Sequence, residues 1–315
     1  MRDPKRTLAL GLLLVLSVVH NAALAQACSG RLVTHAMGNT CVPETVTRVV
    51  ALETGELDSA VMLGLAPVGA GSWLGADDPW PDYLADALGG TTYLGLGDRP
   101  NLEAIAALAP DLILGSKLRH EALYAQLSQV APTVFTETVG APWKENLRLH
   151  GEALGRAAEA QALLEAYEAR AAAFRERLGD RAPTISVVRF LPREIRVYQR
   201  ASFSGSVLAD AGLPRPPSGD VDGFAASITE EGVPEIGGDV LFVSVYGPKA
   251  ETAYPRVTSG PLWAGLEAVR RGRVYEVAED IWMLGVGVGA AERILDDLEI
   301  YLEHYTRASG APRGE

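Results

Sequence analysis

The stretch DRPNLEAIAALAPDLILGS, residues 98 to 116, leaves a chain little freedom in how it folds. Asn101 supplies a helix N-cap, Leu102, Ile105 and Leu108 share one helical face, and Ala109-Pro110 stops the helix. Behind Asp111, the run Leu112-Ile113-Leu114 has the pattern of a strand buried on both faces of a parallel sheet. The device returns in TEEGVPEIGGDVLFVS, residues 229 to 244. Glu103 precedes Asp111 by eight positions, and Glu231 precedes Asp239 by eight. Each Asp opens an apolar strand, Leu-Ile-Leu or Val-Leu-Phe. Upstream, each half also has a helix closing on Gly-Leu before proline, at Gly64-Leu65 before Pro67 and Gly212-Leu213 before Pro214. The physical meaning of this weak repeat is two similar lobes.

Helices and short strands alternate around both copies. RVVAL (48–52), PVGAGS (67–72), a weaker TTYLG and TVF read as strands of the first half. TISVVRF, DVLFVSV and RVYEV are those of the second. The alternation predicts an α/β fold of two Rossmann-like lobes with central parallel sheets, at 47–142 and 180–308, with a ligand cleft between them. From Trp143 to Leu178 no proline interrupts a run rich in Ala, Glu, Leu and Arg. Residues 143–179 are therefore expected as one helix joining the lobes, well beyond the usual length of about 11 residues.

The N-terminus divides into basic MRDPKR, apolar TLALGLLLVLSVV and NAALAQA, the three parts of a secretory signal peptide over 1–25. Its apolar run is shorter than the roughly 20 residues that span a bilayer. Cys28 and Cys41 flank SGRLVTHAMGNT in a hairpin segment, 26–46, and in an oxidising compartment they predict a disulfide. The alternative is a lipidated Cys28, for which Leu24 stands one position out of place. A net charge of −12 offers nucleic acid no basic surface, so none is expected as partner. Residues 309–315 read as a disordered tail.

Four segments, HAMGNTCVPETVTRVVALE, PNLEAIAALAPDLILGS, SFSGSVLADAGLPRP and WMLGVGVGAAERILDDL, resemble the periplasmic substrate-binding proteins of ABC importers for ferric siderophores, haem and cobalamin. These have a helical backbone between their lobes. The resemblance covers most of the mature chain and is nearer the ferric-siderophore branch. It implies a monomeric, extracytoplasmic binding protein, not an enzyme, that delivers an Fe(III)-siderophore complex to a membrane permease. It also implies that Glu103 and Glu231, one per lobe, dock on permease arginines. The plainer reading makes each a carboxylate in the first turn of a helix, with Ser227–Glu230 forming a capping box.

His35, His120, His150 and His304 are scattered singly and read as surface or helix residues, so no protein-held metal is expected. Iron would arrive inside an organic chelator, and the protein would need cations and aromatic faces to hold it. The candidates follow the predicted strands: Trp73 after Ser72; Lys117 and Arg119 beside His120; Arg189, Arg193, Arg196 and Tyr198; Tyr246; and Trp282 in the loop before the last helix. For each arginine the plain alternative is a solvated charge, and for each tryptophan a place in a core. A secreted hydrolase would want Gly-x-Ser-x-Gly, which SFSGS and VTSGP do not supply. GVGVGAAE, 285–292, has the glycines of a phosphate loop but neither its strand nor its lysine. Cobalamin or haem remains the alternative ligand. The cations favour an anionic siderophore over largely neutral cobalamin.

Overall fold

The computed structural model describes residues 28–306. The leader at 1–25 and the tail at 309–315 lie outside the described residues. Strands β1 (Arg31–His35) and β2 (Gly38–Val42) form the antiparallel hairpin. Cys28 and Cys41 are disulfide-bonded, their Cα atoms 5.6 Å apart. A sulfur spent on a disulfide cannot also carry a thioether lipid, so the two readings of Cys28 exclude each other.

The first lobe runs β3 (Val49–Ala51), α1 (Thr54–Met62), β4 (Gly69–Ser72), β5 (Thr92–Leu96), α2 (Leu102–Ala107), β6 (Leu112–Ser116), α3 (Lys117–His120), α4 (Tyr124–Val130) and β7 (Thr133–Thr136). Its sheet has the order β5-β4-β3-β6-β7 with every neighbouring pair parallel. The order reverses between β3 and β6, which opens a crevice beyond their carboxyl ends.

The segment expected as one helix is two, α5 (Trp143–Leu154) and α6 (Ala157–Leu178). Gly155 takes a left-handed φ of 70° and ends α5. The two helices then cross so closely that a Cβ on Gly151 would lie 2.5 Å from that of Ala160. Helix α5 packs on α1, β1 and β7, so it belongs to the first lobe. Helix α6 makes the crossing.

The second lobe runs β8 (Ile185–Phe190), β9 (Ile195–Tyr198), α7 (Phe203–Asp210), β10 (Ala225–Ile228), β11 (Val240–Val245), β12 (Val274–Glu276), α8 (Glu279–Trp282) and α9 (Val288–Tyr301). Its sheet, ordered β10-β9-β8-β11-β12, is parallel only across β8, β11 and β12. Strand β9 is antiparallel to both neighbours, which corrects the expected parallel sheet. Only four residues separate β8 from β9, and Leu191 N donates to Glu194 O at 2.9 Å. A connection that short makes a hairpin, not a parallel crossover.

Helix α6 packs on α7 and α9, and Arg170 reaches Glu292 and Asp296 at 2.7 Å and Glu299 at 3.0 Å. One buried core runs from Leu112 and Leu114 through Leu147, Tyr167 and Phe174 to Ile185, Phe242 and Leu295. The lobes are thus welded behind the cleft, which favours small opening motions.

The repeated aspartates have a structural task. Asp111 Oδ2 accepts from Thr47 N at 3.0 Å, Thr47 Oγ1 at 2.9 Å and Arg48 N at 2.9 Å, tying the entry of β3 to that of β6. Asp239 does the same for β8 and β11, accepting from Thr184 N at 2.9 Å and Thr184 Oγ1 at 2.7 Å. These bonds hold both carboxyls below their ordinary value, Asp111 chiefly through the Thr47 amide and Asp239 chiefly through the Thr184 hydroxyl. Their contribution is present above about pH 4 and is lost as pH falls through the lowered values. Asp111→Ala and Asp239→Ala should each cost about 1–3 kcal/mol in urea unfolding at pH 7. The double variant should lose stability less steeply below pH 4 than the parent. Parent-like unfolding of both single variants at pH 7 would show the tie to be idle.

Candidate functional site

A cleft of about 270 Å³ lies between the lobes at the carboxyl ends of their strands. Trp73, Arg119, Arg189, Arg196, Tyr198, Tyr246 and Trp282 all line it. Lys117 and Arg193 do not. Two positions from Arg119 in α3, Lys117 projects elsewhere and pairs with Glu137 at 2.9 Å. Arg193, in the β8–β9 turn, lines a separate groove with Glu230, Glu231 and Arg256.

The first lobe's part is built on Glu53, the residue before α1. It is almost wholly buried, and its side chain does not cap α1. Its Oε2 accepts from Trp73 Nε1 at 3.2 Å and lies 3.7 Å from Arg119 Nε, while Ser116 Oγ donates to Oε1 at 3.4 Å. The Arg119 guanidinium stands 5.2 Å from the Trp73 ring centre. Burial pushes the Glu53 carboxyl up, against the pull of Arg119. Burial, with the neighbouring Glu53 charge, pushes Glu56 well up.

The second lobe repeats the arrangement with different residues. Arg189 on β8 is 8 % exposed, donates to Tyr198 Oη at 3.1 Å and lies 4.9 Å from the Tyr246 ring centre. It is paired with Glu279, which also accepts from Ser244 Oγ. Arg196 pairs with Glu194 at 2.7 Å. Tyr198 meets Phe224 edge to face at 5.5 Å, and Phe224 is 52 % exposed. Each lobe therefore offers a guanidinium laid against an aromatic face and balanced by its own carboxylate. An incoming anion must share a guanidinium with that carboxylate, because displacing it would leave a buried carboxylate unpaired.

Trp282 is in α8 rather than a loop. It is 1 % exposed, packs on Phe242 at 4.6 Å between ring centres and donates to Asp297 at 2.7 Å. It forms cleft floor and lobe core together. His120 and His150 are both helix residues, in α3 and α5, and both are buried. His120 bonds Gly97 O at 2.6 Å and Ser116 N at 3.1 Å, and burial lowers His150, bonded to Ser59 Oγ at 2.8 Å, to about 4.

Comparison with known proteins decides the family. The profile of a family described as periplasmic binding protein matches residues 49–281. The chain belongs to the periplasmic binding protein family. Its similarity to "Probable siderophore-binding lipoprotein YfiY" of Bacillus subtilis is 39 % identity, covering 86 % of this chain and 87 % of that one. It is 35 % identical to the achromobactin-binding periplasmic protein of Dickeya dadantii, over 80 % and 85 % of the two chains. The crystal structure of Staphylococcus aureus SirA complexed with staphyloferrin B superposes with a TM-score of 0.78 at 34 % identity, covering 87 % of this chain and 98 % of that one.

In this periplasmic binding protein the two repeated glutamates sit at matching edges. Glu103 is exposed in the first turn of α2, which follows β5. Glu231 is exposed in a turn after β10, and the Thr229 hydroxyl holds its carboxyl below the usual range. Because β9 is antiparallel to β8 and to β10, the end of β10 lies on the edge that carries Arg189. Both glutamates thus lie beyond the carboxyl edge of their sheet. No helix begins at Glu231; Ser227 and Ile228 belong to β10 and Glu230 pairs with Arg256, which corrects the first-turn and capping-box readings there.

The glycine-rich segment 285–292 already has its anion. Buried Asp58 accepts from Gly289 N at 3.1 Å, Ala290 N at 3.0 Å and Tyr83 Oη at 2.9 Å, fastening α1 to the start of α9. A Cβ on Gly287 would fall 2.2 Å from Asp58 Oδ1. Those glycines serve close approach between the lobes.

The cations stand out in the sequence, but the carboxylates paired with two of them, Glu53 and Glu279, and the wall residues Phe203, Ser204 and Phe224 do not. The signal for Glu53 is its position: a carboxylate directly after the buried run RVVAL.

Proposed function

We propose that this protein captures an anionic ferric siderophore in the inter-lobe cleft, outside the cytoplasmic membrane, and delivers it to the permease of an ABC importer. It binds its cargo and releases it unchanged. The observation that carries the reading is the pair of arginines, one from each lobe, each set against an aromatic ring and paired with a carboxylate. That arrangement suits a ligand with several anionic oxygens and apolar surface. The leader peptide and the disulfide suit an extracytoplasmic setting. The named ligands of the similar proteins support the same class of cargo. Glu103 and Glu231 are proposed as the docking groups for the permease.

Titration of the mature protein with ferric citrate, ferrioxamine B, haemin and cyanocobalamin tests the ligand class, read by quenching of tryptophan fluorescence. Saturable quenching by a ferric chelate is expected. A response to haemin or cyanocobalamin alone would overturn the siderophore reading in favour of that ligand.

A further inference from the structure

One hydroxyl in the cleft wall has no protein partner. Ser204 is 1 % exposed, and its Oγ makes no hydrogen bond. It is the second residue of α7, an eight-residue helix that begins at Phe203. Ser202 caps this helix, its Oγ accepting from Gly205 N at 3.0 Å and donating to Gln199 O at 2.6 Å. The cap serves the third amide of the turn. The amides of Phe203 and Ser204 are among those that no helix satisfies internally.

The turn is rigidly seated. A Cβ on Gly205 would fall 2.2 Å from Gln199 O and 2.6 Å from Ser202 Oγ, so only glycine allows this approach. Arg215 donates to Gly205 O, and its Nη1 is buried without a partner, which brings a positive charge up behind the turn. Arg189 Nε is a further buried, unpartnered donor among the cleft residues. Leaving a hydroxyl buried and unsatisfied is unfavourable, and such a group facing a cleft calls for a partner that the ligand brings.

We infer that the first turn of α7 is an oxyanion subsite, in which Ser204 Oγ and the adjacent amides take a carboxylate oxygen of the bound chelate, apart from the clamp formed by Arg119 and Arg189. A helix N-terminus favours negative charge, Arg215 strengthens that preference, and the hydroxyl gives it direction. The inference rests on the siderophore reading above and adds a position for one group of the cargo.

The test is isothermal titration of the parent, Ser204→Ala and Ser204→Thr proteins with ferric citrate, which has carboxylates, and with ferrioxamine B, which has none. Ser204→Ala should bind ferric citrate about tenfold more weakly, and Ser204→Thr, which keeps the hydroxyl, within about threefold of the parent. The melting temperature of Ser204→Ala without ligand should equal or exceed that of the parent, because an unsatisfied buried group has been removed. A lower melting temperature together with weaker binding would make Ser204 a structural residue and overturn the inference. So would parent-like binding of ferric citrate by Ser204→Ala, which leaves the siderophore reading standing, or binding of ferrioxamine B but not ferric citrate by the parent, which keeps a siderophore as cargo but overturns its anionic character, ferrioxamine B being a cation. Failure of the parent to bind either chelate removes the siderophore reading and this subsite with it.

Discussion

Replacing Arg119 and Arg189 together with alanine should weaken capture of the ferric chelate more than a hundredfold, with the fold intact. Each guanidinium offers the ligand a charge-assisted contact worth about 1.5–3 kcal/mol. The two arise in different lobes with different partners, so their losses should add. Two such losses exceed a hundredfold in affinity. The carboxylates enlarge the effect: without its arginine, Glu279 or Glu53 is left facing an anion. Glu53 keeps its bonds from Trp73 and Ser116, so the wall itself should stand. Isothermal titration beside a thermal melt separates the two quantities. Parent-like affinity in the double variant would move the ligand away from this cleft. Adding Glu279→Gln to Arg189→Ala should recover part of the loss, since it removes the repulsion without restoring the cation.

Reversing Glu103 and Glu231 to lysine should abolish uptake while leaving capture unchanged. Both side chains are exposed and outside the cleft lining, so neither ligand affinity nor core packing depends on them. The melting temperature should stay within about 2 °C of the parent. On the proposed docking role the effect lies in association, where a lysine would set like charge against permease arginines and suppress docking more than alanine does. Each single variant should retain part of the uptake because the other lobe keeps its anchor. Siderophore-dependent growth, measured beside ligand titration on the same proteins, gives the answer. Full uptake by the double lysine variant would reduce Glu103 to a helix-start carboxylate and Glu231 to a turn residue.

The two glutamates also show how far the sequence could be read. The spacing of Glu103 to Asp111 and of Glu231 to Asp239 was legible as a repeat, and it correctly announced two related lobes. Its structural centre proved to be the aspartates, which tie together the first and later parallel strands of each sheet. Nothing in the spacing marks them as acceptors, because their donors, Thr47 and Thr184, lie more than fifty residues upstream in the chain.

Local physics determined the elements. Apolar runs led by Asp, a capped helix stopped at proline and paired cysteines around a hairpin each act within a few residues, and the chain alone specifies them. The break at Gly155 was equally local, but a helix can absorb an interior glycine, and whether it bends or stops depends on what packs there. Ala160 seated against Gly151 made it a crossing. Tertiary structure alone decided which charges face the cleft. Lys117 and Arg119 are alike on paper, yet only Arg119 turns into the cleft, where Glu53 and Trp73 meet it. The carboxylate partners of the arginines, the unpartnered hydroxyl of Ser204 and the Asp58 bond across the lobes all join residues distant in sequence. Their energies depend on burial and angle, which a chain acquires only when its lobes close on one core.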